Sequence, residues 1–597
     1  MDTSKFKVVN KPVRKQDSLG LATGRRDFTD DIRMPGMLVV RMLRSPHAHA
    51  RILSLDTRAA EAVDGVHAVI HHFNTPHVLH TTAGQGFPEP SPYDTMMFNR
   101  KVRFVGERIA AVAAETHEAA EAALARIEVK YEILEPVLDA ERALEDDAPV
   151  IHDEPGCHMP IPVPYEPEHN IAAKVSFAVG DIEAGLAASD HVFDRRYDAH
   201  YTSHCAIEPH SVVAWMDPDN RLMIRCSTQV PFHVRRIVAQ TLEIPVRRIR
   251  VIKPRIGGGF GGKQEVFLEA VAGLLAMRTG RPVRLVLSRA EVFTSARTRH
   301  PQIIRLRTGI NADGTVTTVN LDTIMNTGAY GSHALTVVCN TGAKVLPLLN
   351  KASNVAFRAR SVYTNLPVGG AYRGYGATQG SFALNVQMEE MARSIGWDVI
   401  DLWRKNHIRT GETSPVFKAL GEGTEGVEMI IGSCGLEECI QRGREAIDWD
   451  AWRDKRIREG SEIYGVGMAC LMQGSSIPEV DMASASMKIN EDGSFNLLVG
   501  ATDLGTGSDT VLAQIAAEAL CVPVEHIIVY SSDTDLTPFD VGAYASSTTY
   551  LSGEAVRRAA VAMRQKILER AMIMLGAGHE TLSIEGDSVV ETGSGRR

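Results

Sequence analysis

Cysteine is scarce and unpatterned in this chain, with eight in 597 residues and no Cys-x2-Cys pair. Cys434 and Cys439 are separated by four residues, but no third and fourth cysteine follow at iron–sulfur spacing. The zinc helix signature His-Glu-x-x-His is absent, as is the Gly-x-Ser-x-Gly nucleophile elbow. Excess positive charge is missing too. Lys and Arg number 64 against 73 Asp and Glu, a formal charge of −9 without a basic stripe, which argues against nucleic acid as a partner. The apolar runs are too short to cross a bilayer, and the opening Met1-Asp-Thr-Ser-Lys-Phe-Lys7 lacks the apolar centre of a secretory leader. Scattered thiols without these features are expected to be buried in a reducing, cytoplasmic setting.

The composition, 44% hydrophobic and 23% charged, is globular, and the length predicts several domains at about 150 residues each. Three blocks are expected. In residues 1–145, strands Met37–Arg44, Glu107–Ala113 and Ile127–Tyr131 surround a helix near 117–126 that starts at a Thr116 cap, an α+β pattern. The proline-rich stretch Pro155–Pro167 is incompatible with helix or central strand and marks a boundary. In residues 168–410, strand Leu222–Ser227, a helix near 231–242, strand Arg248–Lys253 and a helix near 265–278 are expected. A hairpin follows, in which Ile303–Ile310 and Thr315–Ile324 flank Asp313-Gly314. After Gly421–Gly426 the same grammar returns over residues 421–597. Ala485–Asn490 and Ser494–Val499 flank Asp492-Gly493, and a glycine turn and a helix near 509–520 follow. This repetition predicts two related halves facing one site. Gly586–Arg597 reads as a strand whose hairpin partner is missing, so either the chain is truncated or another polypeptide completes the fold.

Four loops carry the chemistry. Arg255–Glu265 (RIGGGFGGKQE) brings backbone amides close to a ligand at a helix start. It fits a dinucleotide fingerprint as Gly257-x-Gly259-x-x-Gly262. It nearly fits a phosphate loop as Gly257-x4-Gly262-Lys263, except that Gln264 stands where a hydroxyl must hold magnesium, and it also fits a tight structural turn. Gly369–Gln379 places Arg373 and Tyr375 between glycines, suited to an anion and to a flat ligand. Asp503–Asp509 opens a helix with Ser508 or Asp509 as its cap, and Ala543–Thr549 offers consecutive hydroxyls and amides. Anion-ready loops without a metal-ligand cluster point to a phosphorylated cofactor that carries its own reactive centre.

Taken in order, these motifs resemble the molybdenum-binding subunit of the xanthine dehydrogenase/aldehyde oxidase family of molybdenum hydroxylases. The resemblance runs through Arg44–Arg51, Phe104–Arg108, Ser227–Gln229, Gly257–Lys263, Thr364–Pro367, Ala371–Gln379 and the 503–509 and 545–553 loops. It implies an α+β fold: a hammerhead-like domain (1–145) and two related molybdopterin-binding domains (168–410 and 421–597, the second incomplete). It also implies hydroxylation of a purine, another N-heterocycle or an aldehyde with oxygen from water. Aldehyde oxidoreductase and hydroxybenzoyl-CoA reductase types are the alternatives, and a nucleotide hydrolase or a non-catalytic scaffold would be a different class. Molybdenum is held by the pterin, either plain or as a cytosine dinucleotide, and the protein donates no metal ligand. Gln229 matches the glutamine that bonds a metal oxo group, and Gly259, Phe260 and Gly261 lie in the loop beside it. Arg373, Ala545 and Ser546 match cofactor contacts, and Thr506, also expected at the cofactor, replaces a frequent glutamine of that loop with a shorter side chain. Tyr375 matches the aromatic that stacks on substrate, and Gln264 stands where purine-oxidising animal members carry glutamate. The resemblance further implies an iron–sulfur subunit, an FAD subunit and a general-base glutamate beyond this chain, supplied by a continuation or by another chain.

Overall fold

The computed structural model describes residues 5–25, 28–421, 425–478 and 480–597. The first four residues of the opening segment and residues 422–424 of the 421–426 boundary lie outside the described residues.

Strands from both sides of the proline-rich stretch share one sheet. Its seven strands run Ile249–Ile252, Leu222–Cys226, Ser211–Met216, Val283–Val286, Leu38–Arg44, Arg108–Ala114 and Val66–His71 from edge to edge. Leu38, Val40 and Ile70 of the first block pack in one core with Ile224, Val251 and Leu285 of the second. The helix expected near 117–126 spans His117–Leu124, and the Thr116 hydroxyl caps it by accepting from the Ala119 N–H at 3.1 Å.

The repetition seen twice in the sequence occurs three times in the structure. Each unit is an antiparallel hairpin, a helix and a strand returning parallel to the second hairpin strand. The first uses Ser211–Met216, Leu222–Cys226, helix Pro231–Thr241 and Ile249–Ile252. The second uses Gln302–Ile310, Val316–Gly328, helix Ala334–Ala343 and Asn354–Tyr363. The third uses Ala485–Ile489, Phe495–Val499, helix Ser508–Leu520 and Ile527–Ser531. In the last helix Leu512, Ala513, Ala516, Ala517 and Leu520 are buried, the spacing of one apolar face. The first unit escaped the sequence reading because its hairpin turns at Asn220 (φ +59°) without an Asp-Gly pair. In all three, the loops that carry the motifs leave the carboxyl ends of the strands, where α/β folds place ligands.

Three expectations are corrected. The helix expected from 265 spans Glu269–Thr279, because the preceding residues are consumed by tertiary contacts: the Val266 N–H donates to the Thr82 carbonyl, and Glu265 is buried in an ion pair. The helix at 508 is capped by neither Ser508 nor Asp509. Its N-cap is Gly507 (φ +83°), and the Asp503 carboxylate accepts the Asp509 N–H at 3.1 Å. Finally, Ser588–Glu591 has its hairpin partner, Leu582–Glu585, across a turn at Gly586 (φ +66°). Leu582 and Ile584 are held in the third unit's core. Among the described residues no helix is long and apolar enough to cross a membrane, and all eight cysteines are free thiols.

Candidate functional site

The loops converge on one cleft of about 1400 Å³, lined by all ten residues expected to form the site: Gln229, Gly259, Phe260, Gly261, Gln264, Arg373, Tyr375, Thr506, Ala545 and Ser546. Gln229 is buried and acts as a clamp. Its Oε1 accepts the Gly261 and Lys263 N–H groups at 2.9 and 3.3 Å, and its Nε2 donates to the Ala543 carbonyl at 2.6 Å. First and third units are thereby tied together through one side chain, with one Nε2 hydrogen to spare. The glycines follow from this crowding. A Cβ on Gly259 would stand 2.7 Å from Gln229 Oε1, and one on Gly261 (φ +101°) 2.6 Å from the Ala371 carbonyl.

Six non-glycine residues of the cleft also hold left-handed φ, among them Phe260 at +57°, Tyr375 at +39°, Ala545 at +50° and Ser546 at +55°. Such strain costs about 1–3 kcal/mol per residue and concentrates where a ligand is clamped. The N–H groups of Gly259, Phe260, Thr506, Ala545 and Ser546 donate to no acceptor among the described residues. Arg373 is exposed with its guanidinium unpaired, while its backbone N–H bonds the Phe260 carbonyl at 2.9 Å. Together these form a set of donors suited to an anionic ligand.

Lys263 does not belong to that set. It is buried, with Nζ 2.7 Å from Glu208 Oε2, and the same carboxylate oxygen accepts the Gly257 N–H at 2.8 Å. Burial lowers the lysine pKa, against the pull of Glu208. A phosphate-loop lysine must reach its ligand, and this one is committed to the scaffold. The helix also begins well beyond the glycines, at Glu269, so neither nucleotide-loop reading fits.

Glu265, which follows the glycine loop in sequence, is likewise structural. It lies 3.1 Å from Arg297 Nε and 3.2 Å from His333 Nε2, and it accepts the Thr82 hydroxyl at 2.5 Å and the Ser332 hydroxyl. Burial alone would raise its pKa, but Arg297, then His333 and Ser332, overcome that and hold it well below the usual carboxylate range. Tyr375 stands above this cluster with its hydroxyl bonded to His333 Nδ1, to Thr336 at 2.6 Å and to Gln85 at 3.3 Å. Gln264 Nε2 donates to the Gly84 carbonyl at 3.2 Å, which turns its Oε1 to the remaining role of acceptor.

Sequence reasoning missed Glu208, Gln85 and His333, for which no local pattern exists, and gave Asp503 no role. The Asp503 carboxylate, buried and yet of lowered pKa, receives the Gly505, Gly507 and Asp509 N–H groups. An aspartate two residues before a glycine is the signal that could have revealed it. The described residues hold one trio with metal-ligand spacing, His152, Glu154 and Cys157, and none of the three lines the cleft.

Three chain units converging on a cleft of unpaired amides, with no metal-ligand set in it, define a protein that cradles a large anionic cofactor. Known families agree. The molybdopterin cofactor-binding domain matches at residues 164–407 and, in a second form, at 442–597, and the aldehyde oxidase and xanthine dehydrogenase a/b hammerhead domain matches at 23–135. A protein of Escherichia coli O157:H7 named "Probable hypoxanthine oxidase XdhD" is 40% identical over 96% of this chain and 62% of its own length. The xanthine dehydrogenase molybdenum-binding subunit of the same organism is 35% identical over 94% of this chain and 72% of its own. The crystal structure of quinoline 2-oxidoreductase from Pseudomonas putida 86 superposes with a TM-score of 0.85 at 26% identity, over 99% of this chain and 74% of that one. The chain belongs to the xanthine dehydrogenase/aldehyde oxidase family and carries its hammerhead and both molybdopterin-binding domains. It spans about three fifths, 62%, of the first of these relatives.

Proposed function

We propose that this chain is the molybdopterin-binding part of a molybdenum hydroxylase acting on a purine-like or other N-heterocyclic substrate. In the overall reaction a ring C–H becomes C–OH, the oxygen comes from water, and two electrons and two protons leave. The electrons pass to iron–sulfur and flavin groups on partner chains. The observation that carries this reading is the set of unpaired amides at Gly259, Phe260, Thr506, Ala545 and Ser546 around one cleft. The same arrangement is the test of fit: amides and an unpaired arginine suit a phosphorylated pterin, and side chains that could ligate the metal are not required.

When bound, the molybdenum–pterin group supplies the two-electron redox chemistry that the cleft's side chains lack. The chain's own residues position and exclude. Gln229 directs its remaining Nε2 hydrogen beside the Gly259–Gly261 turn, Arg373 balances anionic charge, and the Tyr375 ring offers a flat face beside Gln264. Gln264 Oε1 accepts from a ring N–H. Glu265 does not serve as general base: its carboxylate is saturated by Arg297, Thr82 and Ser332 and is too weakly basic. A base from chain outside this sequence is therefore part of the proposal. So are the cytosine dinucleotide form of the pterin, cytoplasmic residence, and domains at 1–145, 168–410 and 421–597; for the domains alone, the family matches at 23–135, 164–407 and 442–597 lend support.

Metal and pterin analysis of the purified complex tests the reading. Molybdenum stoichiometric with this chain is expected, with hypoxanthine or a related heterocycle oxidised. An assembled complex devoid of both molybdenum and pterin overturns it.

A further inference from the structure

The cleft has a cation that the cofactor loops leave unexplained. Lys344 follows helix Ala334–Ala343 as its C-cap and lines the cleft half-buried. Among the described residues it has no carboxylate within ion-pairing distance and no side-chain hydrogen bond, whereas most of its cationic neighbours in the lining are neutralised. Lys15 and Arg255 pair with Asp17, and Arg236 lies 2.9 Å from Glu89. Among the described residues the only acidic side chain in the lining, Glu208, is taken by Lys263. The excess is therefore positive, at Arg373 and Lys344.

The two sit on different machinery. Arg373 belongs to a glycine turn with the cofactor amides. Lys344 belongs to the helix that presents Thr336, Asn340 and Lys344 at four-residue spacing, one face of successive turns. Thr336 bonds the Tyr375 hydroxyl, and Asn340 and Lys344 both line the cleft. Its ammonium lies beside Gly474, which also lines the cleft: a Cβ there would stand 2.7 Å from Lys344 Nζ. At 1.5 Å of rise per residue, Lys344 lies roughly 6 Å along the helix from Asn340 and roughly 12 Å from Thr336. That is the scale of a heterocycle with a substituent.

We infer that Lys344 is a specificity-determining residue that receives a carboxylate on the substrate, so that the cleft selects anionic N-heterocycles over their neutral counterparts. This deepens the proposed function and rests on it. Because Lys344 stands on the Tyr375-contacting helix and on none of the glycine turns, its anion is assigned to substrate rather than to cofactor phosphate.

The test uses the complex as isolated with its partner chains and two probes, pyridine-3-carboxylate and pyridine-3-carboxamide. Their binding is followed by calorimetry and, where turnover occurs, by KM and kcat. The carboxylate is expected to bind about tenfold more tightly, the scale of one partly buried charge pair. Lys344→Gln removes that preference through KM, leaving kcat and the carboxamide unchanged, and Lys344→Arg restores part of it. Gly474→Ala, which crowds the ammonium without removing charge, weakens the carboxylate alone. Molybdenum and pterin content stay at wild-type level in all three variants. Equal affinity for the two probes, no binding of the carboxylate, or cofactor loss in Lys344→Gln overturns the inference, the last by assigning Lys344 to phosphate. Absence of molybdenum from the wild-type complex instead sinks the proposed function, and the calorimetric contrast between the two probes still decides Lys344.

Discussion

The glycine-rich turn at 257–263 has two faces built on opposite rules. Behind it, Lys263 and Glu208, and a little further on Glu265, Arg297 and His333, are buried and mutually satisfied. In front of it, the amides of Gly259 and Phe260 and the Arg373 guanidinium have no partner among the described residues. The contrast separates scaffold from binding surface in one stretch of chain. Charges that are paired and dry hold the backbone in place, and donors left unpaired await a ligand. Charge type alone does not distinguish them, since Lys263 and Arg373 are both cations on glycine turns.

Breaking the rear face gives the largest effects. Glu265→Ala leaves Arg297 buried without its carboxylate and is expected to cost about 3–5 kcal/mol, read from denaturant unfolding. An unchanged midpoint would show that the ion cluster is not part of the scaffold. Gly261→Ala brings a Cβ against the Ala371 carbonyl in a left-handed conformation. It is expected to cost roughly 1–3 kcal/mol and to strip pterin from the purified protein.

Acid probes the rear face differently. His210, behind the turn with Nε2 2.8 Å from the Gly262 carbonyl, is driven by burial, reinforced by Lys263, down to about 3. In the unfolded chain it takes up a proton near 6.5, so between these values the unfolded state binds more protons and stability falls as pH drops. The contribution is fully present above pH 6.5 and diminishes by about 1.4 kcal/mol per unit below it. His210→Phe should flatten the stability profile between pH 6.5 and 5 by that amount. Identical slopes for the two proteins would count against it.

The front face, by contrast, should be nearly silent in stability. Arg373→Gln is expected to move unfolding by less than about 0.5 kcal/mol, as for other exposed positions, while lowering pterin content. A large stability loss with full pterin retention would erase the distinction between the faces.

Much of this was legible in the chain itself. The hairpins at Asp313-Gly314 and Asp492-Gly493, the Thr116 cap and the glycine turns are local signals, because backbone conformation and capping depend on residues only a few positions apart. Ten site residues were expected through the family resemblance of their loops, and all ten line the cleft. The three-fold repetition was only partly visible, since the first hairpin turns on Asn220.

What the sequence determined alone, then, is which segments turn, which strands and helices alternate, and where amides are exposed by glycine. Only the tertiary structure decided that Lys263 faces inward to Glu208. It likewise decided that Glu265 is locked by Arg297 and that Lys344 stands beside Gly474 without a counter-charge among the described residues. The physical reason is that a charged side chain takes its role from the partner folding brings to it, and those partners lie tens to hundreds of residues away in several of these cases.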